Sequence, residues 1–218
     1  RHGIWLHVDA AYAGPAAMLP ELRWLLDGVD RADSLVVSPH KWLFVPIDLS
    51  VLYVRRPEVV RKAFSVVPEY LISPERDVQN YMDYGLQLGR RFRALKLWFV
   101  MRAFGVEGLQ QKIRGHIALA QEFASWVDAE PDWQTVAPHP LSVVCYRYRP
   151  PKLSEAEVDV LNEMIHDMVN ASGDIFISST KLHGQTVLRL AIGNERTTRD
   201  DVAAAWAALR KAAADAMG

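Results

Sequence analysis

Two stretches hold residue types that could do chemistry: His7-Val8-Asp9-Ala10-Ala11-Tyr12-Ala13-Gly14 and Val36-Val37-Ser38-Pro39-His40-Lys41-Trp42-Leu43-Phe44. In the second, a lysine stands between two apolar runs, flanked by a histidine and a tryptophan. Lysine is among the residues least often buried, because its ammonium is costly to remove from water. Taken singly, Lys41 reads as a solvated turn residue and Asp9 as a strand-end cap or turn former. Taken together, they read as an amine and a carboxylate set to work on one ligand.

The elements around them give that pairing its sense. Ile4 to Val8 reads as a short buried strand ending at Asp9, Ser34 to Val37 as a second strand, and Ser50 to Val54 as a third. Glu21 to Leu26 reads as helical, and Pro57 opens a helix through Phe64, proline being favoured in a first turn. Strands separated by helical pieces predict an α/β sheet covered on both faces. Asp9 and Lys41 each follow a strand, and open α/β sheets bind ligands beyond the carboxyl ends of their strands.

A lysine amine and an aspartate so placed suit pyridoxal phosphate. That cofactor needs an amine for its Schiff base and an acidic partner for its pyridine nitrogen. The carboxylate favours the protonated ring, since an opposite charge stabilises the charged form. Desolvation makes the neutral, nucleophilic form of the lysine more accessible.

The two stretches, in this order, resemble the group II pyridoxal-phosphate decarboxylases, with the aromatic-L-amino-acid decarboxylase branch the nearest. Further matching segments are Pro68-Glu69-Tyr70-Leu71, the run from Gly89 through Arg90-Arg91-Phe92-Arg93 to Phe99, and Gly105-Val106-Glu107-Gly108-Leu109. The resemblance implies a fold-type I architecture, here the latter part of the large cofactor domain over residues 1–105 and a small α+β C-terminal domain over residues 106–218. It implies that Lys41 carries the cofactor, that Asp9 meets its ring nitrogen, and that Ala11 lies against the ring. It places His40 beside cofactor and substrate, and Ser38 near the phosphate, where many relatives have asparagine. Tyr70 falls at the tyrosine of the family's catalytic loop, where a phenol can deliver a proton to the substrate's α-carbon. Phenylalanine there is associated with aldehyde formation, so tyrosine favours simple decarboxylation. Trp42 and Gly89 are expected at the substrate, glycine at the latter position tilting the preference towards bulky indole rings. The family also implies a homodimer in which that loop reaches the neighbouring site.

The second half has a different texture. Ser65 to Gly89 is a long connection without clear periodicity, of the kind that often forms functional lids. Arg90 to Phe104 reads as a helix with a broad apolar face, stopped by Gly105. The pair Trp98-Phe99 and the arginine run are expected to be core packing and helix-surface charge, not a nucleic-acid contact. Val106 to Ala129 reads as an amphipathic helix. Trp133 to Val136 and Leu141 to Tyr148 read as strands, Ser154-x-x-Glu157 as a capping box opening a helix through Val169. Ile175 to Ser178 and Thr186 to Ile192 read as a strand pair around His183-Gly184, and Thr198 to Met217 as a closing helix.

Composition bounds the remaining classes. Twenty-five basic residues against 26 acidic ones leave a formal charge of −1, which gives no reason to expect a nucleic-acid or anionic-membrane partner. The single cysteine, Cys145, rules out an internal disulfide framework, reads as a small core residue and fits a reducing, cytoplasmic setting. No apolar run approaches bilayer length, and no signal-peptide pattern is visible. His7, His116 and His166 lack the spacing of a zinc-binding helix, so no metal site is expected. The opening Arg1-His2-Gly3 enters a strand at once, which reads as a chain continued from something longer. A noncatalytic remnant or dimerisation module therefore stands as the rival of another class. An aldehyde synthase and a decarboxylase of non-aromatic amino acids are the rivals among enzymes.

Overall fold

The apolar runs near the start of the chain form a three-stranded sheet. Strand β1 (His7–Asp9) pairs in parallel with β2 (Ser34–Val37), and β2 pairs antiparallel with β3 (Val51–Val54). The structure, a computed structural model, describes residues 3–65 and 79–218. Its chain divides into two compact units, Arg1–Val106 and Glu107–Gly218.

In the first unit, β1 is shorter than the apolar run that predicts it, because Ile4 to Leu6 lie outside the ladder. The crossover from β1 to β2 is built from tight 3-10 turns, Gly14–Met18, Pro20–Leu26 and Val29–Arg31. The expected helix at 21–26 is thus a 3-10 segment, opened by Pro20 and burying none of its residues, so no apolar stripe draws it into an α-helix. Gly14 brings this crossover against β2: a Cβ there would lie 2.9 Å from Val37 Cγ2. Helix α1 (Pro39–Trp42) is a single turn at the end of β2, and α2 (Pro57–Phe64) spans the residues expected of it. The buried core of this unit gathers Ala16, Leu19, Trp42, Val45 and Leu49. The sheet is not covered on both faces: Leu52 and Tyr53 of β3 are exposed.

Helix α3 (Arg93–Ala129) is two helical stretches that meet at a kink at Gly105, where the sequence places the stop. Gly105, at φ 64° and ψ 176°, breaks its helical dihedrals for one residue, in a region that essentially glycine alone occupies. Trp98 and Phe99 are 54% and 57% exposed, which corrects the expectation of core packing; their rings meet each other edge to face instead.

The second unit is a four-stranded antiparallel sheet, β4 (Trp133–Thr135), β5 (Val143–Tyr148), β6 (Ser178–Leu182) and β7 (Gln185–Ala191), in the order β4-β5-β7-β6. Helices α4 (Glu155–Ala171) and α5 (Arg199–Met217) and the end of α3 share its core. Phe123, Trp133, Tyr146 and Trp206 form its aromatic centre, with ring centroids 5.1 to 6.0 Å apart. Both helices start on reciprocal capping boxes, Ser154 with Glu157 and Thr198 with Asp201. Strand β6 lies three residues later than its apolar pattern suggests. The turn decides this: His183 and Gly184 both have positive φ, the geometry of a tight two-residue hairpin, and it pairs Leu182 with Gln185. Arg147, fully buried on β5, donates to Glu155 at 3.0 Å and to Asp159 at 2.6 Å, tying the sheet to α4.

Candidate functional site

Register brings the two chemistry-bearing segments together. Asp9, the last residue of β1, stands opposite Val36 in the parallel pair. The ladder then continues past both strands, with Ala10 N–H donating to Val36 C=O and Ser38 N–H to Ala11 C=O, each at 3.0 Å. The segment carrying Asp9 and Ala11 therefore flanks the segment carrying Ser38, His40 and Lys41, at the carboxyl ends of two paired strands.

Helix α1 sorts its side chains by face. Trp42 is completely buried and stacks on Tyr12, ring centroids 4.9 Å apart and planes 3° from parallel. Lys41, its neighbour, is exposed and makes no ion pair among the described residues. The tryptophan anchors the turn and so presents the amine. This also places Trp42 beneath the site, with no ring face open to a substrate in this chain.

The remaining groups are held by short polar contacts. Asp9 is exposed, and one carboxylate oxygen accepts from the Ala11 N–H at 2.9 Å while no basic side chain pairs with it among the described residues. Ser38 is buried, its hydroxyl 2.8 Å from that of Ser50. His40 turns Nδ1 to the Leu49 backbone, accepting from its N–H at 3.0 Å or donating to its C=O according to tautomer. Only Nε2 is then left for a ligand. His7 Nδ1 is occupied by the Ser34 hydroxyl at 2.7 Å. Phe44, just beyond the turn, has φ 60°, an uncommon conformation for a non-glycine residue and a sign of local backbone strain.

Arg93 was expected as helix-surface charge; it reaches back to Asp48 at 2.9 Å, joining the start of α3 to the segment after α1. That hydrogen bond holds the Asp48 carboxyl below its usual range, and Asp48 in turn raises Arg93. Lys96 donates to the Pro46 carbonyl at 2.8 Å, a second tie between the same segments. Neither link, nor the Ser38–Ser50 pair, has a local sequence signature, since the partners lie 12 to 50 residues apart. Gly89 is exposed, and a Cβ there would meet nothing within 4 Å. Tyr70 lies outside the described residues.

Other titratable groups sit elsewhere. Cys145 is half-buried on β5, and burial pushes its thiol up, so it stays a neutral, weak nucleophile. His116 is buried on α3, where desolvation lowers its pKa and favours the neutral ring. Among the described residues no cluster of three or more histidine, cysteine, aspartate or glutamate side chains is placed to hold a metal ion. No described helix is long and apolar enough to cross a membrane.

An amine and a carboxylate without an ion-pair partner among the described residues, at the ends of two paired parallel strands that also carry Ala11 and Ser38, are the groups a pyridoxal-phosphate enzyme requires of its protein. Residues 1–149 match the family described as the pyridoxal-dependent decarboxylase conserved domain, and the chain belongs to that family. A tryptophan decarboxylase of Camptotheca acuminata is 44% identical over 216 residues, covering 97% of this chain and 43% of that protein. A phenylacetaldehyde synthase of Arabidopsis thaliana is 43% identical over 215 residues, covering 97% of this chain and 44% of that protein. The crystal structure of Oryza sativa TDC with PLP and tryptamine superposes with a TM-score of 0.90 at 37% identity, over 99% of this chain and 46% of that one. The chain thus spans less than half the length of the relatives it matches.

Proposed function

We propose that the protein carrying this chain decarboxylates aromatic L-amino acids to the corresponding amines and carbon dioxide, with pyridoxal phosphate bound through Lys41. The observation that carries this reading is the placement of Asp9 and Lys41 at the carboxyl ends of two strands paired in parallel. When bound, the cofactor supplies an electron sink for the bond that breaks at the substrate's α-carbon.

The chain's own residues divide the remaining work. Lys41 holds the cofactor and releases it to the incoming amine. The Asp9 carboxylate keeps a proton on the ring nitrogen, and Ala11 leaves room for the ring. Ser38 donates to the phosphate, and His40 offers Nε2 to cofactor or substrate. Tyr70 returns a proton to the α-carbon, and Gly89 leaves space for a large aromatic ring. The first unit is the latter part of a cofactor domain, the second a C-terminal domain, and the working assembly is a cytoplasmic homodimer.

Borohydride trapping of the full-length protein tests the assignment. The wild type is expected to retain reduced cofactor covalently and Lys41→Ala to retain none. Trapped cofactor in that variant would remove Lys41 from its role. Product analysis decides the second reading, an aldehyde synthase, which the similarity to the Arabidopsis phenylacetaldehyde synthase favours. Amine and carbon dioxide support the decarboxylase; aldehyde, ammonia and peroxide support the synthase.

A further inference from the structure

His40 stands on a helix of one turn, too short to hold a ring in place by itself. The ring is held from nine residues away. The Leu49 N–H lies 3.0 Å from Nδ1, and the Leu49 C=O reaches the same atom and also accepts from the His40 N–H at 3.4 Å. Leu49 belongs to a stretch, residues 44–50, that forms neither helix nor strand, so no regular ladder fixes its backbone. Two other things do. Val45 and Leu49 are buried in the core of the first unit, and α3 reaches the stretch at two points. Arg93 donates to Asp48 Oδ2 at 2.9 Å, and Lys96, three residues further along the same helix face, donates to the Pro46 C=O at 2.8 Å.

We propose that Arg93 is a positioning residue for His40: its ion pair with Asp48 sets the backbone at Leu49, and Leu49 sets the ring so that Nε2 meets cofactor or substrate. The relay is short. The Leu49 N–H belongs to the planar peptide that joins it to Asp48, so a displaced Asp48 turns the group that faces Nδ1. Arginine suits the task, because its planar guanidinium holds a carboxylate in a fixed direction as a point charge does not. The Arg93 side chain is only 21% exposed, whereas that of Arg91, 4.0 Å from the other carboxylate oxygen, is 83% exposed and adds charge without fixing direction. The same stretch ends at Ser50, whose hydroxyl lies 2.8 Å from that of Ser38, so one link steadies two residues of the site. The inference rests on the reading of His40 above and deepens it. Arg93 acts through Leu49; its part is orientation, not bond making.

The first test uses the full-length protein without cofactor, its histidine rings labelled with 15N, since the shifts of Nδ1 and Nε2 report which of them carries the proton. The measurement is made at about pH 9, where imidazole side chains are neutral. The His40 signal is identified by its loss in His40→Gln. It is expected to show one tautomer in the wild type and an average of both in Arg93→Met. Asp48→Asn is expected to do the same, and the double variant to go no further than either single change, because the two residues form one link. With cofactor bound, kcat for L-tryptophan per borohydride-trapped site is expected to fall about tenfold in each variant with KM little changed, the scale of a misplaced group. Arg93→Lys, which keeps the charge, is expected to recover part of both readouts. A pair that only adds stability would lower the yield of folded sites and leave tautomer and per-site kcat unchanged, and that result would overturn the proposal. A fall in kcat with the His40 tautomer unchanged would overturn it as well. The tautomer is read without cofactor, so failure of the Lys41 assignment leaves it intact. Tautomer averaging with no loss of turnover would keep the link and remove His40 from the reaction.

Discussion

Tyr12 and Trp42 lie face to face, 4.9 Å between ring centroids, and this stack links the segment after β1 to the turn that carries Lys41. Trp42 loses all solvent contact in the process. Trp42→Ala is therefore expected to cost about 3–5 kcal/mol of stability, the range for deleting a large buried aromatic. Denaturant unfolding reads the loss. A variant as stable as the wild type would show that the stack does not anchor the turn.

Asp9→Asn tests the carboxylate without changing its shape. The amide cannot stabilise a protonated ring nitrogen by charge, so turnover is expected to fall by about tenfold to a hundredfold. Borohydride-trapped cofactor is expected to remain, because Lys41 is untouched. Unchanged turnover would sink the assignment of Asp9.

Arg147 is a structural cation, and breaking its cluster is expected to be severe. Asp159 accepts from Arg147 and also from the Thr186 N–H at 2.9 Å, so Asp159→Ala leaves Arg147 with Glu155 alone and strands a backbone donor. A loss of about 2–3 kcal/mol follows for the second unit. Thermal unfolding of the variant checks it, and a loss below about 1 kcal/mol would mean that water satisfies both groups.

Acid is expected to weaken the second unit through three carboxylates. Arg147 holds Glu155 low by a hydrogen bond, the Ser154 hydroxyl and N–H hold Glu157 low, and the Thr198 N–H and hydroxyl hold Asp201 low. Each binds fewer protons folded than unfolded. Their stabilisation is complete above the unfolded carboxylate range, at about pH 4.5, and is lost as pH falls through the lower folded values. Urea unfolding across the acid range should show this slope, flattened in Glu157→Gln and Asp201→Asn. An identical slope in those variants would exclude the capping carboxylates as its source.

Gly14→Ala probes the close approach of the crossover to β2. The added methyl would stand 2.9 Å from Val37 Cγ2, closer than real Cβ contacts come, so Val37 must turn or the strand must shift. About 1–3 kcal/mol of destabilisation is expected, read by denaturant unfolding. A neutral substitution would mean that Val37 changes rotamer freely.

Strand ends, helix caps and the amine–carboxylate pair were legible because each is written in adjacent residues. Ser34 to Val37, Pro57 to Phe64 and the Ser154 capping box all appear where their residues place them. What escaped depends on distant partners. The Ser38–Ser50 hydroxyl pair and the Asp48–Arg93 bond need a fold to bring them together. Strand β6 escaped for another reason: Ser178 to Leu182 is a polar edge strand, and backbone turn geometry sets its register more than hydrophobicity does. Trp98 and Phe99 show the limit of composition, since an apolar helix face names a need for cover but not what covers it.

The uncovered side chains have a practical meaning for the isolated chain. Leu52 and Tyr53 on an edge strand, with Phe92 just before α3 and Trp98 and Phe99 on it, present oily surface to water. Surface of that kind seeks other molecules, and an open strand edge offers them a template. Prepared alone, the chain should therefore be sticky, with solubility that falls steeply as concentration rises and improves with mild detergent.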